Sequence, residues 1–82
     1  MISRVQREMR FKVIKGEKLS LIPLDRCEGV STKNLKYALQ NEILELGIRE
    51  GISNEATAST VSVRLRRGTL LLYRFYRRQG KR

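Results

Sequence analysis

Thr60-Val61-Ser62-Val63-Arg64-Leu65-Arg66-Arg67-Gly68-Thr69-Leu70-Leu71-Leu72-Tyr73-Arg74-Phe75 carries the strongest structural pattern in the chain. Apolar and polar residues alternate up to Arg66, the period of a half-buried strand. Arg67-Gly68 marks a turn, and Thr69 to Arg77 reads as a long returning strand. A strict two-residue loop would set Val61 opposite Arg74 and put an arginine among the valines. An odd loop, or a bulge beside Gly68, sets Leu65 opposite Leu71, Val63 opposite Tyr73 and Val61 opposite Phe75. Burial favours this second register, because a slip of one residue turns every side chain over. The outer face then carries Thr60, Ser62, Arg64, Arg66, Leu70, Leu72, Arg74 and Tyr76.

Working outward, residues 8–15 alternate in the same way, with Met9, Phe11 and Val13 on one side and Arg10 and Lys12 on the other. Gly16-Glu17 suits a tight turn, and Leu19 to Leu24 reads as the returning strand, ending near Pro23. Between the two hairpins, Ser31 fits a helix N-cap. Leu35, Ala38, Leu39, Ile43 and Leu46 recur at spacings of three and four, flanked by Tyr37, Leu44 and Ile48. That spacing predicts an amphipathic helix ending at Gly47 or Gly51, with Glu45 and Arg49 paired along it. Ser53 to Ser59 reads as a polar loop. The expected fold is α+β in the order ββαββ: a four-stranded antiparallel sheet of two hairpins with one helix packed on one face. It forms a single small basic domain over residues 1–77, followed by a flexible basic tail over 78–82.

The 82 residues hold 18 Lys and Arg against 8 Asp and Glu, a net charge of +10 with a pI near 10.7. Residues 61–82 contribute eight basic side chains and no acidic one, and twelve of the eighteen cations are arginine. Such an excess repels itself in a folded chain unless a polyanion relieves it. Arginine forks grip phosphates in pairs, and arginine and tyrosine planes stack on unpaired bases. The pattern therefore points to nucleic-acid binding, RNA ahead of DNA, by Arg64, Arg66, Arg67, Arg74, Tyr76, Arg77, Arg78, Lys81 and Arg82, with Arg4, Arg7, Arg10 and Lys12 as a second basic stretch. The expected role is a structural component of a ribonucleoprotein, the ribosome first among them, acting by neutralising the phosphate backbone. A DNA-binding chromatin or regulatory protein is one alternative. A viral or inhibitor-type module docking on an acidic partner is the other. The thin core suggests a homodimer or a larger ribonucleoprotein assembly, with Leu70 and Leu72 as a dimer strip.

Several chemistries are excluded on composition. The chain has no His and a single Cys, which removes His-based acid–base catalysis, a Cys/His zinc site and an internal disulfide. Cys27 reads as a small buried thiol. Asp25, Glu28, Glu42 and Glu45 are the only carboxylates close enough in sequence for a metal nuclease, and a solvated face explains them. No catalytic residue, cofactor or metal ligand is expected, and the chain is not read as an enzyme. No apolar run reaches the ~20 residues of a membrane span, and no signal-peptide core follows Met1, so a cytoplasmic location is expected.

Overall fold

The computed structural model describes residues 2–5, 7–47 and 51–75, and for Gly51 and Ile52 only the backbone. The described chain is all β. Its strands are β1 (Ile2–Val5), β2 (Glu8–Lys12), β3 (Lys18–Pro23), β4 (Cys27–Lys33), β5 (Glu42–Leu44), β6 (Gly51–Glu55), β7 (Thr60–Arg64) and β8 (Leu70–Phe75). They form two antiparallel four-stranded sheets, one in the order β1-β8-β3-β6 and the other β2-β7-β4-β5. Only the β4–β5 connection stays within a sheet; each other connection hands the chain to the opposite sheet. One hydrophobic core lies between them, with Leu19, Leu21, Leu70 and Leu72 from the first sheet against Val30, Leu44, Val61 and Val63 from the second. Met9, Phe11 and Val13 close its side.

This crossing corrects the α+β, ββαββ expectation. The strands predicted on both sides of Gly16 and Gly68 are present, but neither pair is a hairpin. β2 pairs with β7, and β3 with β8 and β6. The turn at Gly16 exists (φ +93°), and Glu17 N–H donates to Ile14 O at 2.8 Å. It turns the chain between sheets rather than within one. Turn residues in a sequence specify a reversal, not its plane, and the plane here follows from which strands bury each other's apolar faces.

At the second crossing Gly68 has φ +109°, and a Cβ there would lie 2.6 Å from Arg26 O and 2.7 Å from Cys27 Cα. No other residue fits that approach. The crossing sets the parity of β8 opposite to the expected one. Leu70 and Leu72 point inward and are fully buried, while Phe75 is exposed. Leu70 and Leu72 are therefore core residues, not the expected outer strip for a dimer. Cys27 is buried as expected; burial raises the pKa of its thiol, which donates to Thr69 O at 3.2 Å.

Arg74 shares the inward side of β8, at the open edge of the core. It lies apart from Arg64 and Arg66, which correction removes the three-arginine face expected on one hairpin. Arg74 Nε donates to Glu17 Oε2 at 2.7 Å and Nη2 to Oε1 at 3.0 Å, a two-pronged pair. Its guanidinium also lies 5.2 Å from the centroid of the Phe11 ring and donates to Lys12 O. The two side chains are only 15% and 10% exposed, so each charge relies on the other.

The helix expected across residues 31–46 is absent from the described residues. Cys27, Val30 and Thr32 are buried along β4, with a bulge at Gly29 shifting the parity between Cys27 and Val30. Residues 34–41 then fold back over β4 as a loop. Ser31, expected as an N-cap, accepts instead from Asn41 N–H at 2.9 Å, and Thr32 Oγ1 accepts from Leu39 N–H at 2.9 Å. Asn34 and Asn41 adopt left-handed φ of 67° and 53°, which breaks a helix at both points. The stripe is dismantled accordingly: Leu35, Leu39 and Leu44 are buried, whereas Ile43 and Leu46 are exposed. Ile48 and Arg49, assigned to the same helix, lie outside the described residues. Among the described residues no helix is long and apolar enough to cross a membrane.

Two stability tests follow from this packing. Leu72→Ala should cost about 2–5 kcal/mol, and Leu71→Ala, on the half-buried face, distinctly less. A larger loss for Leu71→Ala in urea unfolding would show that β8 has the other parity. The Arg74 hydrogen bond lowers the Glu17 pKa below its ordinary 4.5, against a smaller opposing effect of burial. A depressed folded-state pKa gives stability that is present above pH 4.5 and is lost as pH falls through the lower, folded value. Glu17→Gln should cost on the order of 3 kcal/mol at neutral pH. It should also flatten the acid limb below pH 4.5 seen with the parent chain.

Candidate functional site

Tyr37 carries its ring at the surface, 60% exposed, in the loop between β4 and β5. The loop beneath it is held tightly. Leu35 bridges to Ala56, and Lys36 N–H donates to Glu55 O at 2.9 Å. Asn54, only 2% exposed, clamps the Tyr37 peptide from both sides. Tyr37 N–H donates to Asn54 Oδ1 at 2.9 Å, and Asn54 Nδ2 donates to Tyr37 O at 2.9 Å. The same Oδ1 accepts from Glu55 N–H at 3.0 Å. Ser53, next to it on β6, sits at φ +57°, a left-handed conformation unusual for a residue with a Cβ. Its N–H donates to Ser20 Oγ at 3.2 Å. Such strain concentrates where a structure holds groups ready for a ligand.

These residues border a cleft of about 480 Å³, with Phe75 at the end of β8 closing one side. Phe75 is 43% exposed and meets Tyr73 edge to face at 4.6 Å. Lys18 pairs with Glu55 at 3.3 Å, and Lys36 Nζ sits 5.5 Å from the Tyr37 ring centroid. The cleft thus offers two aromatic rings, a hydroxyl, a carboxylate already balanced by a lysine, and a ring face that attracts cations. Among the described residues no three Cys, Asp or Glu side chains converge on a metal position.

The residues proposed from sequence do not form one surface. Arg10, Lys12 and Arg64 lie on the outer face of the second sheet, where Arg10 stands opposite Ser62 and Glu8 opposite Arg64. A shallow cleft of about 580 Å³ there is also lined by Lys33 and by the carboxylates Glu8 and Glu42. Arg4, Arg7, Arg66 and Arg67 gather around a smaller cleft, of about 240 Å³, at the crossings from β1 to β2 and from β7 to β8. Arg74 is withdrawn to Glu17. Tyr76, Arg77, Arg78, Lys81 and Arg82 lie outside the described residues. Tyr37, Ser53 and Asn54 were missed. The helical spacing puts Tyr37 on a helix flank, and the polar run 53–59 reads as plain loop. The available signal was the Asn, Ser and Gln content around them, since such residues compete with helix by local hydrogen bonding.

The model of the thiamin pyrophosphokinase vitamin B1 binding domain matches residues 4–70. The chain belongs to that family. Three solved structures share the fold. Thiamine pyrophosphokinase from Bacillus subtilis superposes with a TM-score of 0.78 at 25% identity, over 89% of this chain and 36% of that one. Thiamin pyrophosphokinase from Geobacillus thermodenitrificans gives 0.82 at 20% identity, over 93% and 37%. A thiamin pyrophosphokinase family protein from Enterococcus faecalis gives 0.71 at 16%, over 94% and 37%. The chain therefore spans little more than a third of the length of these structures. No curated protein matched it.

Membership of this family overturns the ribonucleoprotein reading. The matched model is the vitamin B1 binding domain of an enzyme family, which does not support the expected RNA-binding or ribosomal component or the RNA or DNA partner. The expectation that the chain has no part in an enzyme falls with it. Charge alone misled because a basic composition is compatible with many functions.

The Asn54 clamp can be tested apart from any ligand. Asn54→Ala leaves the Tyr37 N–H and C=O without partners, a loss of about 1–3 kcal/mol for each group that stays buried. The Tyr37 and Glu55 amides should then exchange with solvent much faster, with little change at Val61 or Val63. Unchanged exchange at Tyr37 would show that the loop is held by other contacts.

Proposed function

We propose that this chain is the vitamin-binding module of a thiamin pyrophosphokinase, and that the Tyr37–Ser53–Phe75 cleft receives the vitamin. The observation that carries this reading is the exposed Tyr37 ring, on a backbone clamped by a buried asparagine, at the rim of a cleft in a domain of this family. Thiamin consists of a flat aminopyrimidine and a cationic thiazolium ring bearing a hydroxyethyl arm. Flat rings stack on tyrosine and phenylalanine, and a ring cation gains from an aromatic face. Ser53, held in its strained conformation, lines the cleft and carries a hydroxyl suited to an aminopyrimidine edge, while the buried Asn54 stays committed to Tyr37 and Glu55. Glu55 supplies the nearby negative charge.

In this reading the chain binds and orients the vitamin so that its hydroxyl faces outward as acceptor of a pyrophosphoryl group. Holding an acceptor in place is itself a catalytic contribution, since it converts an encounter into a positioned reaction. The donor and the transfer step are assigned to the rest of such an enzyme.

Thiamin added to the 82-residue chain should shift the amide resonances of Tyr37, Ser53 and Asn54 and quench tyrosine fluorescence. Tyr37→Ala should weaken binding by roughly three- to tenfold, the worth of one aromatic contact. Lys36→Met, which removes the cation already resting on that ring, should bind at least as tightly as the parent. Shifts confined to other residues, or a Tyr37→Ala variant of undiminished affinity, would move the vitamin elsewhere.

A further inference from the structure

The arginines at the two crossings do not line the aromatic cleft. Arg4 is the last residue but one of β1 and Arg7 precedes β2, while Arg66 and Arg67 occupy the β7–β8 crossing. Leu65 N–H donates to Arg7 O at 3.0 Å, which ties the two crossings side by side. Segments about sixty residues apart thus bring four guanidinium-bearing residues to one cleft, and all four are exposed.

The acids nearest to this cleft are committed elsewhere. Asp25 Oδ1 accepts from Thr69 N–H at 2.7 Å. Glu28 takes Arg26 at 3.0 Å, and Arg66 at 3.9 Å. Arg66 itself leans over Gly29 toward Asn41. Arg4, Arg7 and Arg67 have no carboxylate within ion-pair distance among the described residues. Three like charges gathered without a counter-charge raise the energy of the empty site, and a multivalent anion relieves it. The cleft over the second sheet differs, because Glu8 and Glu42 stand among its cations.

We propose that the Arg4–Arg7–Arg67 junction is a binding site for a small phosphate-type oxyanion, a pyrophosphoryl group in particular. Guanidinium forks match its oxygens geometrically, which lysines would not. At about 240 Å³ the cleft lies below the usual range for drug-sized ligands, so it takes a compact anion or the charged end of a larger one. The site is not the vitamin's. It lies at the Gly68 end of β8 and the vitamin cleft at the Phe75 end, roughly 23 Å away at about 3.3 Å per residue. The proposal therefore stands independently of thiamin binding.

The test is calorimetric titration of the 82-residue chain with inorganic pyrophosphate, alongside two charge-matched double variants. Arg4→Gln with Arg67→Gln should weaken pyrophosphate binding by about tenfold or more. Arg10→Gln with Arg64→Gln, exposed residues of the other face, should change it by less than about twofold. The amides of Arg67 and Gly68 should shift on binding, while thiamin affinity stays unchanged in the first variant. Displacement by ADP would identify the pyrophosphoryl end of a nucleotide as the occupant, and its absence the free anion; both uphold the site. Equal weakening by the two double variants would reduce the effect to diffuse net charge and overturn the proposal. No binding by the parent chain, or undiminished binding by the first variant, would also overturn it.

Discussion

At Gly68 the chain passes so close to Arg26 and Cys27 that no side chain fits, and much else depends on that passage. The positive φ and the close approach steer the chain out of the second sheet and into the middle of the first. They also decide which residues of β8 turn inward. Leu70 and Leu72 then close the core against Val61 and Val63 across the sandwich, rather than beside them in a hairpin. The same passage leaves Arg67 at the surface next to Arg4 and Arg7, and carries Phe75 to the rim of the aromatic cleft.

Inward parity on β8 has one awkward consequence, since it delivers Arg74 to the core side. A lone guanidinium there would be costly. Glu17 resolves this from the turn after Val13, and the face of Phe11 covers the guanidinium. A two-pronged ion pair this little exposed adds modestly to net stability, but breaking it leaves a charge without a partner. Its contribution is to specify which end of β8 meets the β2–β3 turn. Glycine sets the parity at one end of the strand, and the ion pair enforces it at the other.

The sequence disclosed local facts well and pairing poorly. Strands at residues 8–12 and 60–64 follow from alternation, those at 18–23 and 70–75 as the runs returning from the turns, and the turns at Gly16 and Gly68 from glycine. Which strands pair is a property of the whole chain, and adjacency in sequence suggested hairpins where the chain in fact changes sheet. Pairing β7 with β8 across a two-residue loop would bury Arg74, which burial alone disfavours. The structure does bury Arg74, because a distant Glu17 supplies the charge that local reasoning had no means to place. The helix failed for a related reason. Spacings of three and four among Leu35, Leu39 and Ile43 are necessary for an amphipathic helix but not sufficient. A helix of that length is marginal by itself. Here Ser31, Thr32 and Asn54 offer the backbone of residues 37–41 better partners.

Charge was the most visible feature of the sequence and the least informative about the ligand. Eighteen cations suggested one polyanion along one face, yet the fold disperses them: Arg74 inside, Arg10 and Arg64 among acids on the second sheet, Arg4, Arg7 and Arg67 at the crossings. A continuous phosphate backbone needs a continuous stripe, and the described residues present separate clusters instead. What the fold does concentrate is an aromatic cleft at one end of β8, where Lys18 is paired with Glu55 and Lys36 rests on the Tyr37 ring, and a small arginine-lined one at the other. The first offers ring faces to a flat ligand. The second suits phosphate and would repel a cationic ring. The two clefts are thereby kept apart by the length of a single strand, whose two ends are fixed by Gly68 and by the Arg74–Glu17 pair.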